Sequence, residues 1–548
     1  MSEIHHDILV IGGGISGATV AWDAALRGFK VALVDKGDFS CGTSSASSKL
    51  VHGGLRYLQN GEIRLVRESL SERRIWERIA PHMVDPLPFL IPVYGSFWEK
   101  WILRIGLTLY DVLSIDRKWH DDPAKRLPGH RWVKPDEAIA LAPDLTREGL
   151  RGALIYYDCQ NYSPERLGLE CVLGAAAKGA QVANYAKVES FIRNEDVITG
   201  AKVRDEITGQ THAIQADITI NATGPWADFM LVAAQGDKAS KHLLRSKGIH
   251  IITRELSPTH AFTLQASDGH LFVMPWRGKT LIGTTDTAFR NHPDKVQATE
   301  ADIDIILSRL AEALPQAHLK REDVLFAYAG LRPLIDTDGD PTNNQTQETY
   351  SASRAAEVVD HEAEDGLTGL ISALGGKWTT SRHMAERVVN LAVEKLEFEA
   401  DEAPSATTGK TPVLGGNTGI FSQFLETLKK ENPAWDEETL DHLAKFYGSR
   451  AQLVIELAEE TGRKAPISPN QPTIEAEVLF ALRHEMALTL TDILFRRTEL
   501  GTLGAPSQAT LQKLTNLVAE ELSWSDEKKS SELLHALRYY EVAESEET

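Results

Sequence analysis

The most constraining stretch lies near the amino end. Residues 7–11 (DILVI) form a short apolar run, and GGGISG follows at once. A helical pattern over 15–28 then ends at Gly28, and a second apolar run, 30–35 (KVALVD), ends in an acid. Two continuous apolar strands joined by a helix specify a βαβ unit in a parallel sheet buried on both faces. Gly12, Gly14 and Gly17 satisfy G-x-G-x-x-G at the strand-to-helix turn. The first glycine permits the tight turn and the second lets backbone approach a pyrophosphate. The third lets helix pack on strand, and the helix N-terminus favours an anion. Asp35 follows Gly12 by 23 residues, near the spacing of a carboxylate that grips a ribose hydroxyl. These positions predict a bound dinucleotide, with a free 2′-hydroxyl that favours FAD or NAD over NADP.

The rest of the chain frames that unit. Residues 36–54 are Gly- and Ser-rich and read as a loop, 60–80 as a charged helix, and 164–221 as a further βαβ-like stretch ending at Asn221. Between 246 and 286 the pattern changes to strands, with a hairpin at Arg277-Gly278-Lys279. Residues 368–374 are apolar and lead into Gly375-Gly376-Lys377 and a helix to about residue 397. The composition of 400–414 reads as a linker, and 415–540 is helix-period throughout. Over 548 residues the net charge is −20, which argues against nucleic acid as a partner and against whole-surface adsorption to anionic lipid. Cys41, Cys159 and Cys171 form neither a CxxC pair nor a zinc spacing, so no metal is expected and a reducing compartment is. Cys41 is expected to be small and buried. MSEIHHDILV lacks a signal-peptide pattern, and no run of 18 apolar residues occurs, which makes the cytoplasm the expected location. Residues 218–226 (ITINATGPW) place the small turn Ala222-Thr223-Gly224 after a buried strand. Flavoproteins with two dinucleotide folds carry an ATG at this place, which selects FAD.

Several segments in order resemble the FAD-dependent glycerol-3-phosphate dehydrogenases, within the D-amino-acid-oxidase-like flavoproteins. They are IGGGISGATVAWDAALRG (11–28), GTSSASSKLVHGGLRYL (42–58), MPWRGKTLIGTTD (274–286), AGLRPL (329–334), GGKWTTSRHMA (375–385) and EVLFALRHEMALTLTDILFRRTELG (477–501). Thr19, where that family usually has glycine, and Ser381, where it usually has tyrosine, depart from the pattern. The resemblance implies an α/β fold: a Rossmann-like FAD domain, an antiparallel-sheet substrate cap and a C-terminal all-α domain. The expected limits are 1–90 with 150–245 and 325–400 for the FAD domain, 91–149 with 246–324 for the cap, and 415–548 for the helices. It implies oxidation of sn-glycerol 3-phosphate to dihydroxyacetone phosphate, with electrons passed to a membrane quinone, and a homodimer would fit. An oxygen-using oxidase, a flavin oxidase of an amino or hydroxy acid in which Arg56 and Arg332 grip a carboxylate, and a non-catalytic flavoprotein scaffold are the alternatives.

Oxidising an alcohol by hydride transfer needs a base, a cation for the developing oxyanion, a phosphate clamp and a tuned flavin. His52, in a glycine-flanked loop, is the base candidate, and Ser48 is placed to orient it. Arg56, Tyr57 and His250 are expected to contact substrate, and Arg332, between Gly330 and Pro333, to hold oxyanion or phosphate. Lys377 adds charge at flavin or phosphate, at the start of a helix that Thr379 and Thr380 are placed to cap. With Gly12, Gly14, Gly17 and Asp35, the expected cofactor-binding set comprises Ser16, Lys36, Thr43, Ser44, Ser48, Val188, Ala222, Thr223, Gly224, Gly376, Lys377 and Thr379.

One segment points to lipid. In 98–113 a helical projection aligns Trp98, Trp101, Ile102, Ile105, Leu109 and Val112, with Lys100, Arg104, Thr108 and Asp111 on another face. Residues 117–134 add six Lys/Arg against two Asp. A tryptophan-bearing amphipathic helix beside a basic loop suits a membrane surface, and a core-packed helix is the alternative. The expected location is therefore peripheral, on the inner face of the cytoplasmic membrane.

Overall fold

The computed structural model describes residues 4–544, apart from 60, 96, 237–242, 267–268, 336–354, 397, 399–402 and 470. The opening βαβ unit is β1 (His5–Ile11), α1 (Ile15–Leu26) and β2 (Val31–Val34). Parallel pairing joins β1 to β2 on one side and to Thr211–Asn221 on the other. The apolar character of these strands follows from their place: α1 packs against the helices Pro164–Ala176 and Ser381–Lys395 on one face of the sheet, and Ile8, Val10, Leu33, Ile218 and Ile220 lie in their common core. Leu9, Ile11, Ala32 and Val34 point the other way into a second cluster. The sheet order is Ala356–Asp360, Leu370–Gly375, Thr211–Asn221, β1, β2, Gln181–Ala183, with the pair Ala186–Asn194 and Val197–Asp205 added to the early half of Thr211–Asn221.

The single strand expected near 181–188 is divided. Asn184 and Tyr185 turn the chain, Tyr185 at φ +53, and the strand resumes at Ala186. The linker expected at 400–414 is packed where it is described. Thr408 is fully buried, its hydroxyl donates to Asp23 at 2.9 Å, and the Val413 N–H donates to the Ile79 carbonyl. Its Ser/Thr/Gly composition serves close packing on α1 and on the Ile63–Ile79 helix.

A second sheet lies against the first. Its order is Thr287–Phe289, Leu243–Thr253, Lys279–Gly283, Gly269–Trp276, Ala261–Ala266, Val84–Val93, Gly152–Asn161, Leu50–Val51. Pairing is antiparallel except where Ala261 and Phe262 run parallel to Phe89 and Leu90. The hairpin forms with Trp276 opposite Lys279, Arg277 (φ +48) and Gly278 (φ +72) making the two-residue turn. Three strands from stretches expected in the FAD domain, Val84–Val93, Gly152–Asn161 and Val324–Ile335, hydrogen-bond into this second sheet. Apolar strands fit either sheet, so only long-range pairing decides their place. The C-terminal part is helical, from Phe421–Glu431 to Asp526–Arg538, around two apolar clusters.

Candidate active site

Two adjoining cavities occupy the crevice beyond the carboxyl ends of the parallel strands, where open α/β sheets bind ligands. The smaller, about 270 Å3, is lined by Gly12, Gly14, Asp35, Lys36, Val188 and the Ala222-Thr223-Gly224 turn. The larger, about 570 Å3, runs from Ser16 and Ser44 to the second sheet. Ile15, Ser16, Thr43, Ser44 and Pro225 border both, so they form one channel.

The residues of the narrow end fit a dinucleotide. A Cβ at Gly17 would meet the Gly12 carbonyl oxygen at 1.7 Å, so only glycine allows α1 this close to the turn. The Ile15 N–H, at the start of α1, donates to the Ser44 hydroxyl at 2.8 Å, which puts an anion-favouring helix terminus beside the channel. Asp35 accepts from the N–H groups of Gly13 (2.6 Å) and Gly37 (2.8 Å), and burial pushes its carboxyl up to about 6. Lys36 ion-pairs with Asp294 and sits 4.3 Å from the Trp226 ring centre, so a residue of the cap region closes over this end. Cys41, expected to be buried, is exposed at the channel wall, because its loop rims the channel.

The wide end gathers the candidate chemistry. His52, Arg56, Tyr57, His250, Arg332, Gly376, Lys377 and Thr379 all line it. Thr379 accepts the His52 N–H at 3.1 Å, so it fixes the loop of the base candidate. Lys377 Nζ lies 4.2 Å from the centre of the Tyr57 ring. Arg332 donates to the Ser246 hydroxyl (3.0 Å), the Thr284 hydroxyl (2.8 Å) and the Thr285 carbonyl (3.2 Å). A Cβ at Gly248 would lie 2.2 Å from Arg332 Nη2, so that glycine makes room for the guanidinium. His250 is buried and stacks on Tyr328 at 5.1 Å. Burial, with Arg332 and Lys49 nearby, pushes its imidazole down to about 3, so it is neutral in ordinary buffers.

Three expectations change. Ser48 contacts His250 Nε2 at 2.9 Å, so the imidazole it is seen to hold is one on the Leu243–Thr253 strand of the second sheet. A 3-10 turn, Trp378–Thr380, intervenes after Lys377, and the helix starts at Ser381 without a side-chain cap from Thr380. Lys377, Trp378 and Thr379, at the start of the 3-10 turn that precedes the α-helix, border the cavity. In the basic stretch 117–134, Lys125 is buried and paired with Asp85 at 2.8 Å, which removes one charge from the surface patch. The two departures from the family pattern meet each other. The Thr19 hydroxyl donates to the Ile15 carbonyl (2.7 Å) and reaches the Ser381 carbonyl (3.3 Å), so both sit in one packed contact of α1 with Ser381–Lys395.

Sequence reasoning passed over several cavity residues. Thr263, Gln265 and His270 project from paired strands of the second sheet, and burial with nearby Arg56 holds the His270 imidazole below its ordinary value. Asp158 accepts from the Gly53 N–H (3.1 Å), Arg73 (2.6 Å) and the Tyr110 hydroxyl (2.7 Å), which anchors the His52 loop from behind. Only the period-2 alternation of their strands could have signalled these positions.

Comparison with known proteins agrees with this geometry. Residues 7–382 match the family described as FAD dependent oxidoreductase, and residues 406–529 match the C-terminal domain of alpha-glycerophosphate oxidase. The chain is 36% identical to a glycerol-3-phosphate dehydrogenase of Synechocystis, over 98% of this chain and 96% of that one. It is 36% identical to the human mitochondrial glycerol-3-phosphate dehydrogenase, over 98% of this chain and 73% of the relative. The crystal structure of the Bacillus halodurans glycerol-3-phosphate dehydrogenase complexed with FAD superposes with a TM-score of 0.76 at 30% identity, covering 98% of this chain and 96% of that one. With a dinucleotide channel that fits FAD and a family match along nearly its whole length, the chain belongs to the FAD-dependent glycerol-3-phosphate dehydrogenases.

Proposed function

We propose that the protein oxidises sn-glycerol 3-phosphate to dihydroxyacetone phosphate and passes the electrons to a membrane quinone. The observation that carries the reading is the convergence of Arg56, Arg332 and Lys377 with His52 on one cavity at the end of the nucleotide channel. The names of the relatives support the substrate. FAD, when bound, supplies the acceptor for the hydride from C2. His52 takes the C2 hydroxyl proton. Arg332, steadied by Ser246, Thr284 and Thr285, stabilises the oxyanion that develops. Arg56 and Lys377 hold the phosphate, with Tyr57 packed under the lysine. Neutral His250, held by Ser48, borders the substrate end without adding a further positive charge. Gly12, Gly14, Ser16, Asp35, Thr43, Ser44, Val188 and the 222–224 turn hold the cofactor, and Gly17 lets α1 pack close to the glycine turn.

The quinone reading is supported by the Phe97–Leu113 helix. Trp98, Ile102 and Ile105 are each about 70% exposed (71%, 68% and 69%), and Trp101, Leu109 and Val112 are also exposed. The helix buries Leu107 and Tyr110 on its opposite side, so the tryptophan stripe faces out, where a core-packed helix would hide it. Ile115 and Trp119 extend the patch. A contiguous exposed apolar face of this size marks an interaction surface, and each side chain inserted into an interface adds roughly 1 kcal/mol or more. Among the described residues no helix is long and apolar enough to cross a membrane. Glu99 and Leu103, on the same helix, also line the active-site cavity. A headgroup entering from the lipid side would have a short path to the flavin.

Two measurements separate the alternatives. Trp98→Glu with Trp101→Glu lowers the vesicle-bound fraction in liposome flotation at least tenfold, and unchanged partitioning removes the membrane reading. Substrate-reduced enzyme is reoxidised by a soluble ubiquinone analogue much faster than by air; fast reoxidation by air with none by quinone makes it an oxidase.

A further inference from the structure

The C-terminal helical domain holds the rest of the chain at several places, among them the buried pair of Arg166 with Glu485, and two of these places adjoin the walls of the narrow channel. The first is the loop after β2. Asp38 is buried and accepts from Arg496 Nε (2.5 Å) and from Arg497 Nη1 and Nη2 (2.8 Å each), both arginines lying in the π-turn Ile493–Arg497. These guanidinium groups hold its carboxyl well below the usual carboxylate range. The second is the turn between Gln181–Ala183 and Ala186–Asn194. Asn184 donates to Asp38 (3.0 Å) and to the Met486 carbonyl (2.9 Å), and the Tyr185 hydroxyl donates to Asp492 (2.6 Å). Arg496 also donates to Asp492 at 2.6 Å, so loop, turn and π-turn form one closed network.

Each anchored residue is adjacent to channel wall. Asp38 lies between Asp35 and Lys36 on one side and Cys41 to Ser44 on the other, and all six of Asp35, Lys36, Cys41, Gly42, Thr43 and Ser44 line the channel. Asn184 and Tyr185 precede Ala186, Lys187 and Val188, which also line it. From the inside, the loop is tied to the glycine turn and α1 by the Ser40 N–H to the Gly13 carbonyl, the Gly13 N–H to Asp35 and the Ile15 N–H to Ser44, and to the 183–186 turn by the Ala186 N–H to the Asp35 carbonyl (2.6 Å) and the Tyr185 N–H to the Gly37 carbonyl (2.9 Å). The outer clamp adds a buried, charged network to these backbone bonds and holds Asp38 and the 184–185 turn to one helical turn of the C-terminal domain. A site whose walls are fixed beforehand binds more tightly, because the ordering cost is met in folding and not in binding.

We infer that the C-terminal domain completes the FAD site, with Asp38, Arg496, Arg497, Tyr185 and Asp492 as positioning residues that set cofactor affinity without touching the cofactor. Another grip of the domain serves as the control: Lys445 ion-pairs with Asp85 on Val84–Val93 of the second sheet, and neither residue lines the channel.

Three full-length variants test it: Asp38→Asn, Tyr185→Phe and Lys445→Met. Each is stripped of FAD and titrated with it by flavin fluorescence, and each is melted as apoprotein. Asp38→Asn raises the FAD Kd at least tenfold and Tyr185→Phe about threefold, whereas Lys445→Met lowers Tm and leaves Kd within twofold of the parent. Where Asp38→Asn does not fold, Tyr185→Phe, which removes one hydroxyl only, decides. An FAD Kd in Asp38→Asn and Tyr185→Phe that stays within twofold of the parent, whatever their Tm, overturns the inference. The titration contains no substrate, so it stands or falls apart from the identity of the alcohol.

Discussion

Arg332→Met lowers kcat/KM for sn-glycerol 3-phosphate on the order of 10³-fold, and most of the loss falls in kcat. Removing one preorganised donor from a developing oxyanion costs about 10²–10³ in rate, and here the lost group is also a full charge. Four features fix that charge: the Ser246 and Thr284 hydroxyls, the Thr285 carbonyl and the space that Gly248 leaves. Methionine fills the volume and retains none of these bonds. Arg332→Lys restores only a small part of the rate, because a point charge on a flexible stem cannot engage three fixed acceptors and a ligand as the guanidinium fork does. Arg56→Met, at the phosphate end, raises KM with a smaller change in kcat, since it removes binding shared by ground and transition states. Steady-state kinetics on FAD-saturated variants reads the split. A pure KM effect at Arg332 would reassign it to the phosphate.

His52→Ala is the second large effect. Its kcat falls by about 10²–10⁴-fold, the range for loss of a positioned general base, while FAD content and Tm stay close to the parent. The backbone of the loop is held independently of the imidazole: His52 N–H donates to Thr379 and Gly53 N–H to Asp158. Removing the side chain therefore leaves the loop in place. Stopped-flow flavin reduction isolates the step, because only the proton-coupled hydride transfer slows. Near-normal reduction rates from pH 6 to 9 would take the base role away from His52.

Much of this was legible in the chain. The glycine turn, Asp35 and the ATG turn are local signals whose spacing is dictated by one ligand, and they line one channel. The Trp98–Val112 stripe was legible as amphipathic, but its direction was not. Helical periodicity states that one face is apolar and is silent on whether protein or another medium covers it. What stayed hidden depends on long-range pairing. Ser48 finds His250 across 202 residues, and Thr379 finds the His52 N–H across 327. Gln265 and His270 reach the cavity only because their strands sit opposite each other in the second sheet. The stretch 400–414 misled for a related reason: small polar residues mark loops by composition, yet the same residues pack closely, as Thr408 does against Asp23 and Arg382. The role of the 493–497 arginines was equally invisible, since their partner Asp38 is more than 450 residues away in the chain.

The most direct measurement is an anaerobic titration of the holoenzyme with sn-glycerol 3-phosphate, followed in the visible flavin band. The site as described predicts full bleaching by a slight excess of substrate, with dihydroxyacetone phosphate formed in one equivalent per flavin. An unchanged spectrum with sn-glycerol 3-phosphate, together with bleaching by an amino or hydroxy acid, would contradict it and make the arginines a carboxylate clamp.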